Sequence, residues 1–227
     1  ELLQPTTDAS AGAAFLRRSG EGLYILVFET PDRDAALASL ESKGAALAGI
    51  YEGGKFTNLW VHPRSTHGVF IELIQRSKEN PWPPGGEGWQ SFPRAPIFKE
   101  LKSVVVMVAD FKKAAEDYHR LFQVQPSPPV DLAHGLRGVS IPIGAGETVL
   151  ELVSPIDSTS AGARFLERRG QGLYLLALDV FDLDSAVRHI QDGGGVITST
   201  DQGADGATAW VHPKSTSGVL IQLSQAR

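Results

Sequence analysis

The chain lacks the features that mark several specialised classes of protein. None of its 227 residues is cysteine, which excludes disulfide bonds and thiolate metal sites. No apolar run approaches the length of a membrane-spanning helix. Acidic residues outnumber basic ones by 26 to 21, so the net charge of −5 gives no bulk attraction to nucleic acid. We therefore expect a cytoplasmic globular protein whose partner is neither a nucleic acid nor a membrane.

What the chain does contain is an internal repeat. The stretch Trp60–Leu73 occurs again as Trp210–Leu223, at an offset of 150 residues. The same offset aligns the two copies back to Glu1 and Glu151 without a gap. A constant register over that length indicates duplication of a structural unit.

Each copy of the repeat ends in a turn and a strand. The turn opens at His62 and at His212, because a residue before proline is restricted to extended geometry. Gly68 then permits a tight bend. We therefore predict that both histidines are structural residues of the turn.

The strand after the turn carries one polar residue on an otherwise apolar face. Alternation places Glu72 between Phe70 and Ile74 in the first copy, and Gln222 beside Leu220 in the second. A carboxyl or amide group with apolar neighbours on one face indicates the lining of a pocket, since a buried Glu needs a partner. The alternative is an edge strand whose Glu72 is solvated.

The predicted elements follow the order β-α-β-β-β three times. The units cover residues 22–76, 101–154 and 172–225. Strand 22–29 is apolar on both faces, which predicts burial on both sides. Each unit has a helix that follows an aspartate suited to N-capping, namely Asp32, Asp110 and Asp182.

These units predict one complete and one incomplete domain. Residues 98–227 hold two contiguous units and are expected to form a closed two-module domain. Residues 1–76 hold one unit, a half domain whose partner module is missing or is supplied by another chain, so a homodimer through this unit is one expected arrangement. Within it, Glu1–Gln4 are expected to be the end of a strand. Residues 77–97, rich in Pro, Gly and Trp, are expected to be a linker.

The motifs around the repeat resemble those of a known superfamily. The pattern is His-Pro-Arg/Lys-Ser-Thr-x-Gly-Val-x-Ile-Glu/Gln-Leu, preceded by Glu-Leu-(x)2-Pro and by Phe-Leu-x-Arg-Arg/Ser-Gly-x-Gly-Leu. As a set these motifs resemble the methylmalonyl-CoA epimerase and glyoxalase branch of the vicinal oxygen chelate superfamily, over residues 1–76 and 98–227. The resemblance implies an α+β fold in which repeated β-α-β-β-β modules pair into curved sheets around a cleft.

The resemblance also implies a divalent metal held by two imidazoles and two further ligands on the concave faces. In residues 98–227 the imidazole positions fall on Ser103 and Leu175, and the other two fall on Glu151 and Gln222. A hydroxyl, a hydrocarbon, one carboxylate and one amide do not make a transition-metal site. We therefore expect no tightly bound cofactor, although a divalent cation such as Mg²⁺ can bind weakly through Glu151.

Two functions from different classes remain open. The first is a metal-free binding protein, like the bleomycin-resistance branch, that holds an organic small molecule in the cleft between the paired sheets. The second is a lyase, epimerase or isomerase of the methylmalonyl-CoA epimerase or lactoylglutathione lyase kind, acting on a small oxo acid or an acyl-CoA thioester. For the enzyme, the candidate catalytic bases are Glu72 and Glu151. For either function, the expected ligand-binding residues are Ser103, Met107, Leu175 and Gln222.

Further side chains are candidates for ligand contact. His134 lies in a loop between strands, from which it could reach the mouth of the cleft. The pairs Arg17-Arg18 and Arg168-Arg169 could meet a phosphate or carboxylate of a ligand. The alternative is that these arginines are surface charges at the ends of short helices.

Overall fold

The computed structural model describes residues 1–53, 56–76, 97–203 and 206–226, the side chain of Phe56 excepted. Most of the predicted linker, residues 77–96, lies outside the described residues. Within the described ranges the elements form three successive modules, each with the order β-α-β-β-β. None of the helices in these ranges is long and apolar enough to cross a membrane.

A helix precedes the first and the third module. The first module follows α1 (Ala11–Ser19) and consists of β1 (Ile25–Glu29), α2 (Arg33–Ser42), β2 (Leu47–Glu52), β3 (Phe56–Val61) and β4 (Phe70–Arg76). The second consists of β5 (Phe98–Met107), α3 (Phe111–Phe122), β6 (Val130–Leu132), β7 (Leu136–Pro142) and β8 (Val149–Pro155). The third follows α4 (Ala161–Arg169) and consists of β9 (Gly172–Val180), α5 (Leu183–Asp192), β10 (Ile197–Gly203), β11 (Gly206–Val211) and β12 (Leu220–Ala226).

The strands form two sheets. The first module is a four-stranded sheet in the order β1-β4-β3-β2. The second and third modules form one eight-stranded sheet, β10-β11-β12-β9-β5-β8-β7-β6, joined where β9 pairs antiparallel with β5. The predicted α+β fold, with modules that pair into a curved sheet around a cleft, is confirmed.

The three modules share one strand register. In each, the first strand runs parallel to the last, and the same position is paired: Val27 with Glu72, Val105 with Glu151, and Ala177 with Gln222. The prediction that Glu72 and Gln222 occupy equivalent strands is therefore confirmed. The register also makes Glu151 the equivalent of both within the second module.

Local sequence explains where the helices begin and which side they bury. The predicted N-caps each accept a backbone hydrogen bond from the first turn of their helix: Asp32, Asp110 and Asp182. Helix α3 then buries one face, made of Phe111, Ala114, Tyr118 and Leu121. This spacing is that of a helix with one apolar side, so α3 packs flat against a sheet.

One apolar core joins the first module to the second. It is filled from β3 and β4 on one side and from α3 and β8 on the other, with Leu59, Ile71, Leu121 and Leu152 almost fully buried. The hydroxyl of Tyr118 in α3 donates a hydrogen bond to the carbonyl oxygen of Thr66 at 3.2 Å across this boundary. The face of the four-stranded sheet that meets this core is therefore covered.

A hydrogen bond between side chains crosses the same boundary. His67 Nε2 lies 3.0 Å from Asp117 Oδ2 on α3. Burial would raise the pKa of the Asp117 carboxyl, but hydrogen bonds from Lys113, Arg120 and His67 outweigh it and lower the pKa to about 2. Asp117 therefore stays ionised at neutral pH and holds His67 in place. The equivalent of His67 in the third module is Ser217, so this contact distinguishes the two copies.

The two copies of the repeat also touch each other reciprocally. Gly68 lies against the backbone of Gln171 just before β9, and Gly218 lies against the backbone of Glu21 before β1. These contacts are equivalent under the 150-residue offset, so an approximate two-fold axis relates the first and third modules. Both glycines have positive φ, 86° and 81°, and a side chain at either would collide with the carbonyl oxygen opposite.

The prediction that Glu1–Gln4 end a strand is wrong. These residues form no strand, and Leu2 and Leu3 are 96% and 63% exposed. Their equivalents in β8, Leu152 and Val153, are fully buried. The difference follows from pairing, because β8 lies between β5 and β7, whereas Glu1–Gln4 have no strand beside them among the described residues.

The prediction that strand 22–29 is buried on both faces is also wrong. The strand begins at Ile25, and Val27 at its centre is 45% exposed. Its apolar sequence is that of a central strand, but among the described strands only β4 lies beside β1. The sequence gives the hydrophobicity of a strand but not how many strands lie beside it in the sheet, and its exposure depends on both.

Candidate ligand cleft

The concave face of the eight-stranded sheet has an apolar floor. Buried side chains from its central strands form this floor: Val105, Met107, Leu136, Val153, Leu175 and Ala177. Helix α4 packs on it through Phe165 and Leu166, and Gly162 sits so close that a methyl group there would lie 2.7 Å from Met107 Cε. Met107 and Leu175, both predicted ligand-binding residues, are therefore part of a packed apolar surface.

Polar groups interrupt this floor near its centre. Ser103 on β5 pairs with Ala177 on β9, which pairs in turn with Gln222 on β12. On the other side of β5, the side chain of Ser103 is hydrogen-bonded to the carboxyl group of Glu151 on β8. Since neighbouring strands are about 4.8 Å apart, Glu151 and Gln222 stand roughly 14 Å apart along the sheet. That separation accommodates a small organic group between them.

Glu151 has an electrostatic environment suited to proton transfer. Burial raises the pKa of its carboxyl above the ordinary value, while the hydrogen bond from Ser103 and the charge of Lys102 act in the opposite direction. A carboxylate in such surroundings binds a proton more strongly than one in water. A half-buried carboxyl with a raised pKa in a cleft is a candidate functional residue.

A histidine and a tryptophan from different halves of the sheet meet at the cleft, His134 from the turn between β6 and β7 and Trp210 from β11. The short turn Ala133–Gly135 holds His134 at φ 61°, and its ring centre lies 5.0 Å from that of Trp210, edge to face. Trp210 pairs with Gln222 across β11 and β12. Among the described residues the buried indole N–H of Trp210 has no hydrogen-bond partner. The sequence put His134 in a loop from which it could reach the cleft mouth, and in the structure its ring contacts Trp210, which packs against the apolar floor.

A cavity of about 290 Å³ opens between α4 and the first module. Its basic lining consists of Arg164, Arg168 and Arg169, which suit a phosphate or carboxylate. It shares three residues with the apolar group at the cleft, namely Phe165, Tyr174 and Leu220. The cavity and the cleft are therefore adjacent, and one elongated ligand can occupy both.

The remaining predicted candidates have local roles. The Nδ1 atoms of His62 and His212 accept hydrogen bonds from the backbone N–H two residues later, at 3.1 and 3.0 Å, so both histidines fix their turns as predicted. Arg17 donates to the carbonyl oxygen of Asp8 at 2.9 Å, which ties it to its own loop. Of the two arginine pairs, the Arg168-Arg169 pair is the one that lines the cavity.

The structure brings some of the predicted site residues together and separates one. Ser103 and Glu151 lie on the neighbouring strands β5 and β8 of the eight-stranded sheet, and Gln222 lies on β12, which β9 separates from β5. Glu72 lies in the four-stranded sheet, where the side-chain amide of Asn58 donates a hydrogen bond to its carboxylate. The two candidate bases therefore do not share one sheet within a single chain.

The residues at the four positions that the resemblance assigns to a metal do not fit a transition-metal ion. Leu175 offers no donor atom, Ser103 is engaged with Glu151, and Gln222 supplies a neutral amide. Zinc and similar ions are held in proteins mainly by imidazole and thiolate ligands. In the part of the chain that the structure describes, no group of three or more His, Asp and Glu side chains is arranged to hold a metal ion.

Known proteins with similar sequences and folds define the family. The model of the Glyoxalase/Bleomycin resistance protein/Dioxygenase superfamily matches residues 103–210. The mitochondrial methylmalonyl-CoA epimerase of Mus musculus is 30% identical over 140 residues, which is 58% of this chain and 77% of that protein. The Bos taurus enzyme is 31% identical over 131 residues, which is 56% of this chain and 74% of that protein.

A solved structure supports the same relationship. The crystal structure of methylmalonyl-CoA epimerase from Mycobacterium tuberculosis matches with a TM-score of 0.54 and 27% identity, over 60% of this chain and 93% of that one. The chain therefore belongs to the glyoxalase/bleomycin resistance protein/dioxygenase superfamily. Within that superfamily, the relatives named here are methylmalonyl-CoA epimerases.

Sequence reasoning missed two residues of the site, Trp210 and Arg164. Trp210 begins the repeated motif, but only the register of β11 against β12 puts it beside Gln222. Arg164 had a detectable signal, because the equivalent position in the first copy is Ala14 while the flanking residues match. A charged residue at one copy of a repeat and alanine at the other indicates a role specific to one copy.

Proposed function

We propose that this protein is an isomerase for a small acyl thioester of coenzyme A, and that Glu151 removes the proton from the carbon next to the thioester carbonyl. The observation that carries the proposal is the environment of Glu151, a half-buried carboxyl with a raised pKa in an apolar cleft. The methylmalonyl-CoA epimerases among its relatives support the substrate class.

The proposed step conserves atoms and electrons within the substrate. Glu151 takes the proton, the C–H electron pair forms the enolate of the thioester, and a proton then returns to the same carbon. Substrate and product have the same composition, so no oxidant or reductant takes part. The apolar floor excludes water from the reacting carbon, which strengthens the interactions that the enolate makes.

Hydrogen-bond donors for the enolate oxygen lie on the side of the cleft away from Glu151. The indole N–H of Trp210 is buried without a partner among the described residues, and the amide of Gln222 is its neighbour in the register. Donors that are fixed before the reaction stabilise an oxyanion without reorganisation. We assign Trp210 and Gln222 to this role.

Inversion of the carbon requires a proton donor on the face opposite Glu151. His134 packs against Trp210, which lies on the far half of the sheet from Glu151, and an imidazole can donate or accept a proton. We assign His134 as this second group. The assignment makes deuterium exchange and inversion separable. Exchange of the proton with solvent needs only Glu151, whereas inversion of the carbon needs both Glu151 and His134.

The basic cavity fits the phosphate-bearing end of a coenzyme A thioester. Both basic residues, Arg164 and Arg168, and apolar residues, Leu23 and Leu173, line the cavity, which suits a ligand with an anionic end and an apolar arm. The acyl end then reaches the cleft past Phe165. Anchoring by the distal part of the ligand positions the reacting carbon at Glu151.

The proposal is tested with methylmalonyl-CoA in D₂O. Mass spectrometry follows deuterium entry at the carbon next to the thioester carbonyl, and chiral analysis follows inversion, each against a protein-free blank. We expect Glu151→Gln to reduce both rates by at least about 100-fold, since general base catalysis contributes that much or more. We expect His134→Ala to reduce inversion much more than deuterium entry. Absence of exchange by the unmodified protein contradicts the proposal.

A binding protein without catalysis is the second candidate function. The observation that favours it is the donor set, in which Ser103 and Leu175 stand where the resemblance places imidazoles. Calorimetric titration with methylmalonyl-CoA, coenzyme A and free methylmalonic acid, combined with the deuterium assay, distinguishes the isomerase from the binding protein. Tight binding that is lost in Arg168→Ala but retained in the matched Arg18→Ala, together with no deuterium entry, supports the binding protein.

A further inference from the structure

A lysine beside the centre of the cleft is carried by a bulge in β5. Leu101 pairs with Leu178 of β9, and Ser103 pairs with Ala177, the next position along that strand. Lys102, between them, therefore has no partner of its own in β9. Strict alternation from Ser103 would turn Lys102 away from the cleft. A bulge removes this constraint, because the extra residue bends the strand and redirects its side chain.

The surroundings of Lys102 show that its side chain lies on the cleft side of the sheet. Its Nζ atom is 3.8 Å from Oδ1 of Asp179 on β9. Asp179 shares a strand face with Leu175 and Ala177, which belong to the apolar floor. The charge of Lys102 also acts on the carboxyl group of Glu151 on β8. Lys102 is therefore a cation at the cleft, with an acidic side chain on each strand that flanks β5.

The contact with Asp179 leaves Lys102 able to bind a ligand. A separation of 3.8 Å is longer than a hydrogen bond, and Oδ1 of Asp179 is buried with no hydrogen-bond partner among the described residues. The side chain of Lys102 is 53% exposed, so it can move without disturbing the core. An ammonium group has three donors, so Lys102 can hold Asp179 and a ligand oxygen at the same time.

The centre of the cleft is where a positive group is needed. The polar row from Glu151 to Gln222 supplies a carboxyl group, a hydroxyl group and an amide, none of which carries a positive charge. An anionic oxygen binds more strongly where a cation is held nearby. Asp179 lies two residues from Ala177, the middle of that row, or roughly 7 Å along β9. The ammonium group of Lys102 can therefore reach a ligand that occupies the row.

We propose that Lys102 is the anion-binding residue of the cleft and holds an anionic oxygen at the acyl end of the ligand, with Asp179 as the residue that positions it. This inference rests on the proposed function for the class of ligand, an acyl thioester of coenzyme A. The oxygen has two sources, a carboxylate on the acyl group or the enolate oxygen formed at the reacting carbon. In the second case Lys102 adds a charge to the donors Trp210 and Gln222. A lysine ammonium group binds either kind of oxygen.

Calorimetric titration tests the carboxylate as the source. Lys102→Met removes the charge and keeps an unbranched side chain. Lys99→Met is the matched control, because Lys99 is the extra residue of another bulge in β5 and is also 53% exposed, but its ion-pair partner is Glu100 at 3.1 Å. The probes are methylmalonyl-CoA, which has an acyl carboxylate, and propionyl-CoA, which has none. If Lys102 holds the carboxylate, Lys102→Met weakens binding of methylmalonyl-CoA at least about 10-fold and leaves propionyl-CoA unchanged.

Deuterium entry into methylmalonyl-CoA tests the enolate as the source. If Lys102 holds the enolate oxygen, Lys102→Met leaves both affinities unchanged and lowers the rate of exchange at least about 10-fold. The rates are compared on the plateau of the pH profile, because loss of the Lys102 charge also raises the pKa of Glu151. Lys102→Arg keeps the charge, so it is expected to restore part of the affinity or rate that Lys102→Met loses.

The outcomes separate this inference from the proposed function. Exchange by the unmodified protein, with Lys102→Met equal to Lys99→Met in affinity and in rate, overturns the role of Lys102 and leaves the isomerase standing. A loss in Lys102→Met that Lys102→Arg does not restore at all also overturns it. Absence of exchange by the unmodified protein contradicts the isomerase, and the titrations then decide the role of Lys102 by themselves.

Discussion

The side chain of Ser103 is hydrogen-bonded to the carboxyl group of Glu151 across the neighbouring strands β5 and β8. Ser103 is almost fully buried, so this contact is shielded from water. It opposes the effect of burial on the pKa of Glu151. A hydroxyl at this position therefore tunes the one carboxyl group that we propose to act at the reacting carbon.

The raised pKa of Glu151 predicts a pH-dependent effect on stability. The folded state holds this proton to higher pH than the unfolded state, so the contribution of Glu151 to stability falls as the pH rises through its folded pKa. We expect Glu151→Gln to be more stable than the unmodified protein at about pH 7, and to lose this advantage near pH 4. Urea unfolding at both pH values measures the difference. An equal difference at the two pH values would be inconsistent with a raised pKa.

The donor set of the complete cleft predicts a gain of metal affinity in a double variant. Ser103→His together with Leu175→His adds two imidazoles to Glu151 and Gln222, which is a tetrahedral set of the kind that zinc prefers. We expect the variant to bind Co²⁺ at least about 100-fold more tightly than the unmodified protein. Titration followed by the visible absorption of Co²⁺ measures the Co²⁺ affinity of the double variant and of the unmodified protein. If the unmodified protein already retains stoichiometric zinc, cobalt or nickel against a mild chelator, the assignment of these positions is wrong.

The reciprocal glycine contacts predict that the two copies of the repeat are tightly coupled. Gly68→Ala and Gly218→Ala would place a methyl group against a carbonyl oxygen of the opposite copy, at positive φ. Gly44→Ala is the matched control, because Gly44 also has positive φ, 72°, but has open space around it. We expect the two contact variants to lose at least about 2 kcal/mol more unfolding free energy than Gly44→Ala.

Urea unfolding of the three glycine variants provides the measurement. Similar losses in Gly68→Ala, Gly218→Ala and Gly44→Ala would show that backbone strain alone sets the cost. That result would mean that the close approach of Gly68 to Gln171 does not couple the two copies.

The repeat allowed much of the fold and part of the site to be predicted. A constant offset fixes which residues are equivalent, so the sequence alone assigns Glu72 and Gln222 to the same strand face. Alternation along a strand then gives the lining of the cleft, including Ser103 and Glu151. The offset can be read directly from the sequence, and the alternation depends only on residues a few positions apart.

What the sequence could not provide depends on pairing between distant segments. The cavity joins Leu23 to Arg168, and the contact between His67 and Asp117 joins the first two modules. No local pattern specifies either, because the residues of each pair are far apart in sequence and meet only through tertiary packing. The exposure of Val27 has the same origin, since its surroundings depend on which strand lies beside β1.

The pH dependence of deuterium entry into methylmalonyl-CoA tests most directly whether Glu151 is the base. We predict a rate that rises with pH to a plateau, with an apparent pKa above the ordinary value of a glutamate. Ser103→Ala removes the hydrogen bond that lowers this pKa, so its profile should shift to higher pH, while Glu151→Gln should lose the pH-dependent rate. A profile that is unchanged in Ser103→Ala, or that persists in Glu151→Gln, contradicts the assignment of Glu151 as the base.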